Sequence, residues 1–276
     1  MPTSTTIRRR LPGAILITVA GLYSIVPLIS MFTAALAPRG TFPTGLTWPS
    51  HPHWHNFIDA FQVANITTLL ESSALIVLGV VPIAVLISAM AAYAITALRI
   101  PLGRAFYLLL VMTLTLPFEI VIVPLYQQIN ALGLLNSRLG LILPLIGLNM
   151  PFAVFWMRAH FVTMPAELGE AALMDGAGMW QAFRHVHLPL ARSALASLGL
   201  LMLLSTWNTF LLPLVLINDP NKRTMAGALQ AFQSRYSTDV VLLNAGALLL
   251  MAPTIIVFLA LQRHFVKALL QGAVKG

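Results

Sequence analysis

Cysteine is absent from the 276-residue sequence, and charge is scarce. The first absence excludes disulfides and thiolate metal sites. The second is the stronger constraint: 9% of residues are charged, against about 25% in an ordinary soluble domain. No G-x-x-x-x-G-K-[ST] run occurs, so the chain has no P-loop of its own to cradle ATP phosphates. No low-complexity tract and no repeat of fixed period is visible. The apolar runs hold no nucleophile paired with a base and no paired metal ligands, which removes an intramembrane enzyme. What fills the chain is apolar: 58% of residues are hydrophobic, and the mean hydropathy is +0.86. Soluble packing cannot hide that much apolar surface, so a bilayer is the natural solvent. The net charge is +8. Its basic residues stand at the ends of apolar runs, which points to membrane topology and not to nucleic acid.

Charged residues divide the chain into six apolar runs. A helix needs about 20 mostly apolar residues to cross hydrocarbon. Arg10 and Arg39 bracket the first run, Glu71 and Arg99 the second, and Arg138 and Arg158 the fourth. Arg192 and Asp219 bracket the fifth, and Asp239 and Arg263 the sixth. The third follows Arg104, reaches Tyr126 and is interrupted by Glu119. These runs do not alternate polar and apolar residues as barrel strands do. The expected fold is an all-α membrane protein with six transmembrane helices. The spans fall near 11–37, 72–98, 105–127, 139–158, 190–217 and 240–262, in one transmembrane domain over 1–276.

The N-terminus superficially resembles a secretory signal, with Arg8, Arg9 and Arg10 before an apolar stretch and Ala35-Leu36-Ala37 beyond it. The charge-free run from Leu11 to Pro38 is longer than the signal core of about 7–15 residues and reads as a retained span. With the N-terminus inside, the inner segments hold Arg8, Arg9, Arg10, Arg99, Arg104, Arg158, Arg184, Arg192, Arg263, Lys267 and Lys275. The outer segments hold Arg39, Arg138, Lys222, Arg223 and Arg235. Eleven against five places both termini in the cytoplasm.

One inner connection, Met164 to Leu188, has its own helix signals. Pro165 suits the first position of a helix, Glu167 falls in the positive first turn, and Glu170 to Met174 are strong helix formers. Asp175-Gly176 is a turn signal, and Gly176 can take a left-handed cap conformation. A second helix is expected to follow, with Trp180, Phe183 and Val186 on one face. Two readings stay open on these residues alone. One is a helical hairpin lying on the headgroups. The other is a protein-docking element with a small alanine face, a carboxylate at Glu170 and aromatic anchors.

Glu170-Ala171-Ala172, Asp175-Gly176-Ala177, Phe183 and Leu188-Pro189-Leu190, at these spacings, resemble the EAA loop of ABC importer permeases. Leu116-Pro117, Pro124-Leu125-Tyr126, Gly133-Leu134, Asn136, Glu167-Leu168, Trp207-Asn208-Thr209-Phe210 and the ending Gly272-Ala273-Val274-Lys275-Gly276 extend the likeness. They resemble the carbohydrate-uptake permeases, on the maltose-transporter G-subunit side, over most of the chain from Leu75 onward. One departure is Ser193, where many relatives carry a second proline.

The resemblance implies an ABC type I importer permease fold with a cytoplasmic EAA coupling loop over 164–188. It implies a transport subunit, not an enzyme, in a bacterial cytoplasmic membrane. The implied cargo is a carbohydrate delivered by an extracytoplasmic binding protein and moved by alternating access. The loop would rest in a cleft of a separate ATPase. Glu170, Ala171, Ala172, Asp175, Gly176 and Phe183 would couple the two, with Glu170 paired to a basic group and Gly176 supplying the bend. The implied partners are a second homologous permease in a heterodimer, two ATPase subunits, the binding protein facing the loop 218–239, and membrane lipid. ATP and Mg would sit on the ATPase, with no cofactor on this chain.

Polar groups inside spans are costly and are functional candidates. Asn208 lies within the fifth span beside Trp207, a pairing that suits sugar hydroxyls and the apolar face of a pyranose. Helix–helix hydrogen bonding is the alternative. Asn149, Ser205 and Thr209 are further candidates for the substrate path. Glu119 reads either as a relay on that path or as a partly hydrated group near the outer end. A relay would suit an ion-coupled secondary transporter, which would leave the Glu170 loop unexplained. The uncharged fifth span favours a neutral sugar over glycerol-3-phosphate or a glycerophosphodiester.

His51, His53 and His55 form no recognisable metal-site spacing; with Trp48 and Trp54 they read as an interfacial loop. His160, His185, His187 and His264 read as headgroup or partner contacts. Lys222, Arg223 and Arg235 either meet acidic groups on a binding protein or are solvated.

Overall fold

The computed structural model describes residues 4–98, 100–232 and 238–273. Arg99, Arg235 and Lys275, counted above for orientation, and Val274 and Gly276 of the ending lie outside the described residues. The described residues form helices and turns with no β-strand. In chain order the first helices are α1 (Ser4–Ala35), α2 (His55–Val63), α3 (Ile66–Thr96), α4 (Gly103–Thr113), α5 (Glu119–Ala131) and α6 (Leu139–Val162). Then come α7 (Ala166–Met174), α8 (Met179–Ala182), a π turn (Phe183–His187), α9 (Leu188–Leu190), α10 (Arg192–Asn208) and α11 (Leu211–Leu216). Two 3-10 segments, Pro220–Lys222 and Met225–Phe232, precede α12 (Val240–Ala273).

Among the described residues, four helical stretches are long and apolar enough to cross a membrane: Leu16–Ala35, Ile66–Thr96, Leu139–Val162 and Val240–Ala260. The pair Met179–Leu190 and Arg192–Asn208, bent by 75°, would make a fifth. Two of the expected runs are therefore not single helices. The run 105–127 is not one helix but α4 and α5, separated at 114–118. The run 190–217 is α10 and α11, separated at Thr209 and Phe210.

Both breaks have the same physical cause. A proline ring clashes with the carbonyl four residues before it and offers no N–H. Pro117 and Pro213 put that clash at Thr113 and Thr209, where α4 ends and α10 has just ended. At each break two side chains donate to carbonyls of the closing turn. Thr113 and Thr115 bond the carbonyls of Leu110 and Met112 at 2.7 and 2.8 Å. Asn208 and Thr209 bond those of Leu204 and Ser205, each at 2.8 Å. Pro82, Pro124, Pro144, Pro151 and Pro253 sit inside continuous helices, so proline alone does not break a helix here.

The chain divides into two compact units, Met1–Ile66 with Ala228–Ala252, and Thr67–Gly227 with Pro253–Gly276. In the first, Asn56 fastens α2 to the end of α1. Its buried amide donates to the carbonyls of Ala35 and Ala37 at 2.8 and 2.9 Å. Arg39 reaches Asp59 and Asp239 at 3.4 and 3.3 Å, and His55 meets Asp59 at 3.2 Å. In the second unit, two apolar clusters organise the helices. Ile76, Val80, Leu141, Leu145, Leu212 and Leu216 join α3, α6 and α11. Ala92, Tyr93, Met157, Phe161, Phe183 and Leu198 join α3, α6, the π turn and α10. Asn136, at a φ of 58°, accepts from the N–H groups of Asn218 and Asp219 at 2.6 and 3.1 Å. That contact ties the turn before α6 to the start of the 218–239 loop.

Replacing Asn56 with Leu removes both donors and leaves two buried carbonyls short. The expected loss is about 2 kcal/mol, read as a lower unfolding midpoint of the detergent-solubilised protein. An unchanged midpoint would show that α2 is not held by this amide.

Candidate functional site

The loop between α6 and α10 is built in the second unit. Pro165 takes the cap position, with φ −58° and ψ 131°, one residue before the first-turn place expected for it. Glu167 then lies in the first turn of α7 as expected. At the other end, Gly176 has a φ of +81°. Its N–H bonds the Leu173 carbonyl and the N–H of Ala177 bonds that of Ala172, both at 3.0 Å. This is the Schellman closure, in which the left-handed residue lets two trailing N–H groups cap the helix. Gly178 then starts α8, its N–H donating to Gln181 Oε1 at 2.8 Å.

Glu170, Ala171, Asp175 and Gly176 are exposed along α7 and its turn, and Ala172 is half-buried. Phe183 is different, and the expectation that it faces a partner is corrected. It is 1% exposed and packs on Tyr93 of α3, ring centroids 5.1 Å apart. Trp180, with its ring 5.4 Å from Phe183, is exposed. The face expected to carry three anchors is thus divided. Trp180 and Phe183 keep their i, i+3 contact, but Phe183 enters the chain's own core against Tyr93 while Trp180 lies outside it. The Tyr93 hydroxyl also donates to the Met179 carbonyl at 3.2 Å. The loop is pinned from beneath while Glu170 stays open.

His187 was expected at a headgroup or partner surface and is instead buried. Its ring stands edge-on to Tyr93 at 4.7 Å and to Phe161 at 6.2 Å. His185 remains exposed, its Nδ1 3.1 Å from the Gln181 carbonyl oxygen. A cavity of about 600 Å³ opens between α7 and the ends of α3 and α6. Tyr93, Thr96, Arg158, Phe161, Glu170 and His187 are among the residues around it. The Arg158 guanidinium lies 4.1 Å from the centre of the Tyr107 ring, holding α4 to α6 by a cation–π contact. Sequence reasoning missed Tyr93, Phe161 and this role of His187. The only available signal was an aromatic placed near a span end, which carries no address for its partner.

The candidates for the substrate path fall on three helices, α10 with its end, α6 and α5. Ser205, Asn208 and Thr209 share one side of the α10 terminus by their three- and four-residue spacing. Ser205 and Asn208 are exposed, and Trp207 and Thr209 are half-buried. Asn208 uses one amide hydrogen on its own helix and keeps its carbonyl oxygen and second hydrogen for other partners. Asn149 is half-buried in α6 and donates to the Leu145 carbonyl at 2.7 Å. Glu119 is exposed at the first turn of α5.

Helices long and apolar enough to cross a membrane, broken at polar positions, define a membrane-spanning protein. The chain belongs to the family described as binding-protein-dependent transport system inner membrane component, which matches residues 84–271. Such a permease works with an ATPase and a substrate-binding protein, and the ion-coupled alternative falls with this membership.

The chain is similar to the diacetylchitobiose uptake system permease protein NgcG of Streptomyces coelicolor, at 33% identity over 90% of this chain and 83% of that one. It is similar to the trehalose transport system permease protein SugB of Mycobacterium tuberculosis, at 34% identity over 98% and 99% of the two chains. The lactose transport system permease protein LacG of Rhizobium radiobacter is 31% identical over 98% and 99%. In fold it is similar to a crystal structure of a bacterial ABC transporter involved in import of the acidic polysaccharide alginate. The TM-score is 0.78 at 22% identity, covering 96% of this chain and 99% of that one.

Replacing Phe183 with Ala opens a cavity beneath the loop and is expected to cost roughly 3–5 kcal/mol. Limited proteolysis of the purified protein reads this as faster cleavage within 164–188. Cleavage at the unaltered rate would mean that Phe183 does not hold the loop.

Proposed function

We propose that this chain is one half of the transmembrane pathway of an ATP-binding-cassette importer for a carbohydrate. The observation that carries the reading is the α7–Gly176–α8 loop, pinned to α3 through Phe183 and with Glu170 exposed at the cavity beside α7. Relatives whose names specify a cargo name saccharides: diacetylchitobiose, lactose, arabinooligosaccharides, trehalose, and melibiose with raffinose and stachyose. Within α10 the only charge is Arg192 at its start, which suits a neutral ligand better than a phosphorylated one.

In this reading α4 with α5 and α10 with α11 each complete one crossing, which gives six. Both termini are cytoplasmic by the distribution of Arg and Lys, so α7 faces the cytoplasm. A second homologous permease completes the pathway as a heterodimer, and two ATPase subunits hold the ATP and Mg. Glu170 pairs with a basic group of one ATPase. Ala171 and Ala172 permit close approach, and Asp175 with Gly176 sets the bend. The loop 218–239 faces the binding protein. Asn208 bonds sugar hydroxyls at the break after α10, with Trp207, Ser205, Thr209 and Asn149 nearby in the pathway and Glu119 at its margin.

A Gly176→Pro variant fixes φ near −65° where the chain has +81°. Reconstituted with its ATPase and binding protein, it is expected to insert but lose most ATP-driven uptake. Wild-type uptake by this variant would sink the docking reading. Asn208→Leu is expected to raise the half-saturation concentration for uptake roughly fivefold, the equivalent of about 1 kcal/mol for one hydrogen bond. Unchanged uptake kinetics would take Asn208 out of the pathway.

A further inference from the structure

His187 occupies a position where four parts of the second unit meet. Its Nδ1 lies 3.2 Å from the Ala182 carbonyl oxygen. Because a carbonyl only accepts, Nδ1 carries the proton in that bond, and the bond spans the π turn. The ring faces Tyr93 of α3 and Phe161 of α6 at 4.7 and 6.2 Å. Its remaining edge lies against α7. A Cβ built on Gly169 would stand 3.3 Å from His187 Cε1 and 3.5 Å from Nε2. The residue after His187 begins α9, and the 75° bend into α10 follows directly.

Gly169 is the one position of α7 without a side chain, and it is adjacent to Glu170. Its φ lies outside the left-handed region, so its backbone does not require glycine. Glycine inside a helix is less favourable than alanine. What the absence of a side chain provides here is close approach: the backbone of α7 rests on the imidazole edge. A push on α7 therefore meets a buried ring wedged between α3 and α6, one residue before the segment leading into α10.

We propose that His187 is the positioning residue that joins α7 to α10, with Gly169 as its seat. This rests on the reading that α7 receives the ATPase. A displacement of α7 is passed through the Gly169–His187 contact to the α9 bend, and so to the helix that ends at Asn208. The contact lies on the wall of the cavity between α7 and the ends of α3 and α6, so it bridges part of that gap.

The test uses the assembled transporter, with its ATPase, partner permease and binding protein, in proteoliposomes supplied with the transported saccharide. The quantity read is substrate moved per ATP hydrolysed. Gly169→Leu is expected to lower it about fivefold, the lower end of ordinary coupling between sites. His187→Ala is expected to lower it similarly. In the combined Gly169→Leu, His187→Ala variant, Leu fills the space that the imidazole vacates, so the ratio is expected to be no lower than in His187→Ala alone. Independent, multiplying losses would overturn the proposal, as would an unaltered ratio in Gly169→Leu.

His187→Asn separates positioning from folding, because its amide restores a donor to Ala182 without the ring. Full recovery by Asn would assign the effect to the turn alone and overturn the proposal. A persistent loss of coupling supports it. The same double-variant cycle, read as thermal stability of the detergent-solubilised chain alone, reports the contact without any ATPase; additive losses there overturn the proposal. Co-purification of the ATPase with wild type and with Gly176→Pro tests the docking reading separately.

Discussion

Everything proposed for the loop depends on one packing interaction, the burial of Phe183 and His187 against Tyr93. A helix as short as α7 does not persist in water by itself, since helices below about 12–15 residues are marginal. It is stable here because the turn after it is capped at Gly176 and the next segment is pinned to α3 and α6. That burial fixes which side of α7 faces inward. It leaves Glu170 open, and it brings the chain to the α10 bend at Ala191 in a fixed orientation. The loop is therefore held to the permease at its far end, close to the helix it is proposed to move.

The second organising constraint is backbone polarity. In hydrocarbon, broken helices are tolerated only where protein or a water-filled cavity satisfies the freed groups. The breaks at 114–118 and at Thr209–Phe210 meet this demand partly from within, through Thr113, Thr115, Asn208 and Thr209. Asn208 thus serves two ends. One amide hydrogen closes the helix, and the rest of the amide is open at a point of irregular backbone.

The sequence revealed those features whose cause is local. Helices long and apolar enough to cross a membrane lie over 72–96, 139–158 and 240–260, where charge brackets the sequence. Gly176 was legible because a left-handed cap demands glycine, and the chain has it there. The breaks were only half legible. Glu119 interrupts the third run in the sequence, while Pro124 sits inside α5 without ending it. Phe183 was misread because spacing places it beside Trp180 but does not say which of the two is buried, and Tyr93, distant in sequence, decides that. His187 was misread for another reason. A histidine after a span end resembles an interfacial one, and only the rings of Tyr93 and Phe161, distant in sequence, make its burial favourable.

The central claim is that the outer face of α7 is where an ATPase docks. The chain has no native cysteine, so a single introduced thiol reports position without interference. Met174, at the end of α7, is 88% exposed; Trp48, in the loop after α1, is 60% exposed. The decisive measurement is disulfide cross-linking in the assembled transporter, between an ATPase with one cysteine in its docking cleft and this chain carrying either Met174→Cys or Trp48→Cys. The account predicts a cross-link from position 174 and none from position 48. A cross-link from position 48, or none from 174 in a transporter that still hydrolyses ATP, would contradict it.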